Sequence, residues 1–129
     1  MKKVQDHYFH KARKDGYVAR SAYKLEEIDQ RHQLLKRGQK VLDLGCAPGS
    51  WLQYTSRRIG ESGRLLGIDL QAVAISLPSQ VEVLQVDIYE LNRSGAWWES
   101  PFDVILSDMA PKTTGVRSAD ADRSYALNQ

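Results

Sequence analysis

The sequence predicts an α/β domain built on a parallel sheet. Four short apolar runs, Lys40–Leu44, Arg64–Asp69, Val81–Val86 and Phe102–Ser107, each carry an acidic residue at or near their carboxyl end. Helical spacing or turn chemistry separates them. The first run passes directly into a glycine loop and a helix start, Val41-Leu42-Asp43-Leu44-Gly45-Cys46-Ala47-Pro48-Gly49-Ser50-Trp51. Strands that alternate with helices pair in parallel and gather their chemistry at the strands' carboxyl ends.

Residues 1–20 are polar and basic, with Tyr8, Phe9, Tyr17 and Val18 as scattered apolar anchors. Ser21 is placed to cap a helix running to about Leu35, in which Ala22, Leu25, Ile28 and His32 recur at helical spacing. Gly38 ends that region, and the strand Lys40–Leu44 follows. A helix from Ser50 to Ile59 stops near Gly60 and Gly63. Arg64–Asp69 reads as the second strand and Val81–Val86 as the third. Tyr89–Glu99 is expected to be helical, halted by Ser100-Pro101, with Trp97 and Trp98 as core residues. Phe102–Ser107 is the fourth strand. The expected division is a basic helical segment, 1–38, followed by a ligand-binding sheet, 39–129.

A chain of 129 residues suffices for one compact domain and is short for a complete α/β enzyme. Its 42% hydrophobic and 26% charged residues are ordinary for a globular protein. No apolar stretch approaches the roughly 20 residues of a membrane span, and the N-terminus lacks the apolar core of a signal peptide. A lone Cys46 forms no internal disulfide, so a reducing cytoplasm is expected. No metal-ligand cluster is evident: His7 and His10 lack a third ligand and read as surface residues. Asn92-Arg93-Ser94 matches a glycosylation triplet by chance. Charge is uneven: residues 1–40 hold 11 Lys/Arg against 5 Asp/Glu, whereas 41–129 hold 7 against 11. A basic segment on an acidic domain suits a polyanionic partner, or is simply a solvated helical face.

The glycine loop has the spacing Asp-x-Gly-x-x-x-Gly, not the Gly-x-Gly-x-x-Gly of dinucleotide sites. Glycines allow backbone N–H groups to approach a ligand closely. Asp43 would repel a pyrophosphate and attract an ammonium group, which leans the reading toward S-adenosylmethionine and away from a nicotinamide oxidoreductase. Asp43, Asp69, Asp87 and Asp108 then form a series along one sheet edge, although Asp is also common in turns. Asp69 lies 20 residues beyond Gly49, where a carboxylate holds ribose hydroxyls. Asp87 with Ile88 is placed to meet an adenine, and Asp108 to face the reactive centre.

Three separated segments, Arg20-Ser21-Ala22-Tyr23-Lys24-Leu25, the Asp43–Trp51 loop and Ser107-Asp108-Met109-Ala110-Pro111, together resemble the FtsJ/RrmJ family of ribose 2′-O-methyltransferases. The resemblance runs from about Tyr8 to the C-terminus. It implies a Rossmann-like class I methyltransferase fold, incomplete here, S-adenosylmethionine as cofactor and RNA as substrate. It carries cofactor contacts onto Gly49, Trp51, Asp69, Asp87 and Asp108; Asp43, Gly45, Pro48, Ser50 and Ile88 complete the candidate cofactor set. Of the family's Lys-Asp-Lys-Glu catalytic group, Lys24 and Asp108 match the first two members. The run Ser-Asp-Met-Ala-Pro resembles the branch that acts on large-subunit ribosomal RNA rather than tRNA. Lys112 departs from the family's usual Asn. The later strands and the second lysine and glutamate have no counterpart, and neither Lys40 nor Lys112 has the motif context to replace that lysine. The chain is therefore expected to be the N-terminal part of a ribosomal RNA methyltransferase, not competent alone and prone to self-association through the exposed strand 102–107. The rival reading is a non-catalytic RNA-binding or ribosome-assembly module.

Overall fold

The computed structural model describes residues 14–108. Tyr8, Phe9, His7, His10, Met109, Ala110, Pro111 and Lys112, to which the sequence assigned motif or surface roles, lie outside the described residues. Helix α1 (Ala22–His32) precedes strand β1 (Lys40–Leu44), which leads to α2 (Ser50–Ile59), β2 (Arg64–Asp69), β3 (Val81–Gln85) and β4 (Val104–Ser107). All strands are parallel, in the order β3-β2-β1-β4. The chain direction across the sheet therefore reverses between β1 and β4, the kind of switch point at whose carboxyl edge open α/β sheets take their ligands. This is a Rossmann-like arrangement, as expected.

Strand alternation sorts the core onto two faces. Val41, Leu65, Val104 and Leu106 face α1 and α2, joining Leu25, Ile28, Trp51, Leu52 and Ile59. Leu42, Leu66 and Ile68 face the other way, with Phe102 and partly buried Trp97, Trp98 and Ile105. Each fully buried aliphatic side chain contributes about 2 kcal/mol of transfer free energy. Gly67 sits mid-strand on the helical face, where a Cβ would lie 2.9 Å from both Cys46 Sγ and Leu52 Cδ2. Its missing side chain lets α2 settle on the sheet.

The strand Lys40–Leu44, the helix Ser50–Ile59 and the strand Arg64–Asp69 match the sequence reading residue for residue. Four elements differ. Strand β3 ends at Gln85, one residue short of the expected Val86. Helix α1 stops at His32, not Leu35: Gln33 turns left-handed (φ 52°) and donates its N–H to Asp29 O at 2.6 Å. Its inward face holds Asp29 in place of the expected His32, which is exposed. The Tyr89–Glu99 helix does not form. Two short 3₁₀ turns, Ile88–Glu90 and Ala96–Trp98, stand there instead, separated by Asn92, whose side chain accepts the Ser94 N–H, and by Gly95 at φ 104°. Turn chemistry over 92–95 outweighs the apolar spacing. Phe102 precedes β4 rather than joining it, and stacks on Trp97 with centroids 6.2 Å apart.

At the amino edge, Lys40 is 9% exposed. Its ammonium donates to Trp97 O (2.6 Å), Ser100 O (2.8 Å) and Ser100 Oγ (2.9 Å), and lies 4.7 Å from the Phe102 ring centroid. Its backbone exchanges hydrogen bonds with Asp103. Lys40 fastens the chain's entry into β4, on the sheet edge away from the acidic series.

Candidate methyl-donor site

The glycine loop is built by folding β1's exit back onto β2. Gly45 at φ 78° points its N–H at Ile68 O (2.7 Å), and Cys46 N–H reaches the same oxygen at 3.2 Å. Asp69, the last residue of β2, then holds the loop and its own turn: Oδ2 accepts the Ala47 N–H and Oδ1 the Gln71 N–H, both at 2.8 Å. Gly49 (φ 120°) begins α2, and a Cβ there would fall 2.7 Å from Ile75 Cδ1 and 3.1 Å from Val73 Cγ1. In this structure the β2–β3 connection, rather than open space, approaches that glycine. Pro48 is exposed on the loop's rim.

Ser50 and Trp51 turn toward α1. The Ser50 and Ser21 hydroxyls are 2.6 Å apart, and the indole N–H of Trp51 donates to Ser21 O at 2.9 Å. Both are buried, at 2% and 4% exposure. These side chains tie the loop to the helix carrying Lys24, a use that sequence reasoning did not foresee. A second tie lies one turn further on: buried Asp29 accepts from Tyr54 OH (2.7 Å), Arg58 Nε (3.0 Å) and Leu35 N–H (2.8 Å). The signal for Asp29 was available, since it sits four residues after Leu25 on the apolar face.

Of the acidic series, Asp43 lies inside β1, Asp69 ends β2, Asp108 follows β4 directly and Asp87 stands two residues beyond β3. Asp87 Oδ1 accepts the Tyr89 N–H at 2.9 Å and caps the 3₁₀ turn, while Ile88 packs into the second core. Tyr89 beside them is almost fully exposed. At the sheet's reversal, Lys24 Nζ reaches Asp108 Oδ1 at 3.0 Å. Asp43 is 1% exposed, and its Oδ2 has no hydrogen-bond partner among the described residues. Burial, followed by the charges of Asp108 and Asp69, pushes its pKa from the usual 3.8 up to about 8. Burial and the same acidic neighbourhood push the Cys46 thiol up to about 12, so it is a packing group rather than a nucleophile.

The donor set suits a cation-bearing ligand: the charges of Asp69 and Asp108 act on Asp43, which is buried with its Oδ2 unpartnered among the described residues. Among the described residues no group of three or more His, Cys, Asp or Glu has a metal-binding arrangement. Nor is any described helix long and apolar enough to cross a membrane.

Comparison with known proteins agrees with this geometry. A family model described as FtsJ-like methyltransferase matches residues 17–129. The ribosomal RNA large subunit methyltransferase E of Syntrophobacter fumaroxidans is 53% identical over 126 residues, which cover 96% of this chain and 64% of the relative. The protein of the same name from Bdellovibrio bacteriovorus is 50% identical over 127 residues, covering 95% and 64%. The chain thus spans somewhat less than two thirds of the length of these relatives. A crystal structure of a Plasmodium falciparum protein assigned as a ribosomal RNA methyltransferase superposes with a TM-score of 0.63 at 27% identity, covering 86% of this chain and 70% of that one. The chain belongs to the FtsJ-like methyltransferase family.

Proposed function

We propose that this chain binds S-adenosylmethionine along the carboxyl edge of its sheet and contributes Lys24 and Asp108 to methylation of a ribose 2′-hydroxyl in RNA. Large-subunit ribosomal RNA is the substrate class, by similarity to the relatives' names. The single observation that carries the reading is the Lys24–Asp108 contact at the sheet's reversal, beside the buried Asp43. The cofactor supplies, when bound, a methyl group on a positively charged sulfur. Asp43, Asp69 and the loop 45–49 line its place, with Asp87 and Ile88 at the far end. Asp69 fixes the loop through Ala47 N–H and has lone pairs left for hydroxyls.

Methyl transfer to a hydroxyl is an in-line displacement, so alignment dominates. A ribose hydroxyl is a poor nucleophile at neutral pH and needs help in losing its proton. Lys24 offers a donor and Asp108 an acceptor to the same oxygen, which fixes its direction. The Ser21–Ser50 and Trp51–Ser21 contacts hold that pair against the loop. The basic segment before β1 serves the phosphates.

Two titrations test the reading. Calorimetry with S-adenosylmethionine should show binding that Asp69→Ala abolishes. Binding to large-subunit RNA should weaken steeply with salt and survive that substitution. RNA binding without any cofactor binding would favour a non-catalytic RNA module, and failure of both would remove the proposal.

A further inference from the structure

The carboxyl edge contains one group whose state in the ligand-free protein is unusual. Asp43 is enclosed by β1's neighbours: its strand partners are Gly67 on β2 and Leu106 on β4, both apolar. The titratable and charged groups around it are Asp69 from the end of β2, Asp108 from the end of β4, Lys24 from α1 through its contact with Asp108, and the Cys46 thiol from the loop. Lys24 is committed to Asp108 at 3.0 Å, and Asp69 to the Ala47 and Gln71 N–H groups. No cation or hydrogen-bond donor is left for Asp43 Oδ2 among the described residues. An ionised carboxylate in that position would be buried, unpaired and flanked by two further acids, which is costly. A neutral carboxyl is the form this geometry tolerates.

Resting on the cofactor reading above, we propose that Asp43 exchanges a proton for the positive charge of the methyl donor: the empty site holds the neutral acid, and binding of the cationic ligand releases that proton to solvent. The balance is simple. The O–H bond of Asp43 breaks, its proton goes to buffer, and the carboxylate pairs with the ammonium or sulfonium of the ligand. The site thus keeps its charge constant as it fills, and its affinity for the ligand follows pH. The pKa raised to about 8 agrees with the geometry, because it leaves the empty site protonated at neutral pH.

The test is calorimetry of the 129-residue chain between pH 6 and 7, where the ligand's own ammonium stays protonated, in buffers of different ionisation enthalpy. S-adenosylmethionine and S-adenosylhomocysteine are the probes. About one proton should leave per ligand bound, and the dissociation constant should improve nearly tenfold per pH unit across that window. Release with both probes places the ammonium against Asp43; release with S-adenosylmethionine alone places the sulfonium there. Asp43→Asn should release no proton and lose the pH slope. Binding with no proton release by the unsubstituted chain overturns the exchange and leaves the cofactor reading standing. Absence of binding by either probe removes both. As a check independent of any ligand or variant, the Asp43 carboxyl carbon followed by NMR should still be protonated at pH 6; a signal already ionised at pH 5 overturns the exchange.

Discussion

Lys24 and Asp108 stand 84 positions apart in sequence and 3.0 Å apart in space. One belongs to the helix before the sheet and the other to the exit of its last described strand. Neither side chain is deeply buried, at 50% and 34% exposure. A pair this open is screened by water and contributes about 0–1 kcal/mol to stability.

Lys24→Ala and Asp108→Asn should therefore change the unfolding temperature little. In methyl-transfer assays of an active family enzyme containing this segment, each should lower the rate by about tenfold or more. S-adenosylmethionine affinity in the Lys24→Ala chain should stay within a few-fold. Thermal melts and transfer assays run side by side check the dissociation of the two effects. A loss of rate that only tracks a loss of fold would show the pair to be structural.

Asp43 makes the ligand-free protein sensitive to alkali. Its folded-state value, about 8, lies above the usual 3.8, so the folded chain holds this proton more tightly than the unfolded one. Its stabilising contribution is complete below about pH 4 and is lost as pH rises through 8. Asp43→Asn removes that dependence. Denaturant melts should show the variant gaining stability over the unsubstituted chain from pH 5 to pH 8.

Asp29 is a different kind of acid, buried at 2% exposure but satisfied by three donors. Asp29→Ala leaves the buried Tyr54 OH and Leu35 N–H without this partner, while half-exposed Arg58 turns to water, and should cost about 2–4 kcal/mol. Urea unfolding measures it directly. Because the same carboxylate joins α1 to α2, cofactor affinity should weaken along with stability.

Strand β4 pairs with β1 and, among the described residues, has no neighbour on its other side. An unpaired apolar edge recruits further strands. Sedimentation of the 129-residue chain should show self-association that grows with concentration. A monomer throughout the measurable range would rule this out.

Much of the scaffold around the candidate site was legible because strand and loop chemistry is local. The runs ending at Leu44 and Asp69, and the glycines at 45, 49, 60 and 63, mark their own boundaries. What escaped was decided by partners far along the chain. Trp51 reads as a loop residue facing a ligand, yet its indole is spent on Ser21, thirty positions earlier. Asp29 stands at an apolar-face position four residues after Leu25, but the reason an acid is kept there, its bonds to Tyr54 and Arg58, lies 25 and 29 positions away. The segment 89–99 shows apolar spacing that suits a helix, yet Asn92 and Gly95 break it into turns, and the two tryptophans reach Phe102 without one.

Lys40 and Asp43 lie on one strand three residues apart, on opposite faces, with the fastening ammonium below and the unpartnered acid above. At about 3.3 Å per residue, β1 is a ruler roughly 10 Å long between them. A slip of one residue in its pairing would pull Lys40 from Trp97 and Ser100 and turn Asp43 to the wrong side of the sheet at once. The placement of the carboxyl-edge acid is thus proofread at the other end of the strand, by a lysine bound to Trp97 and Ser100.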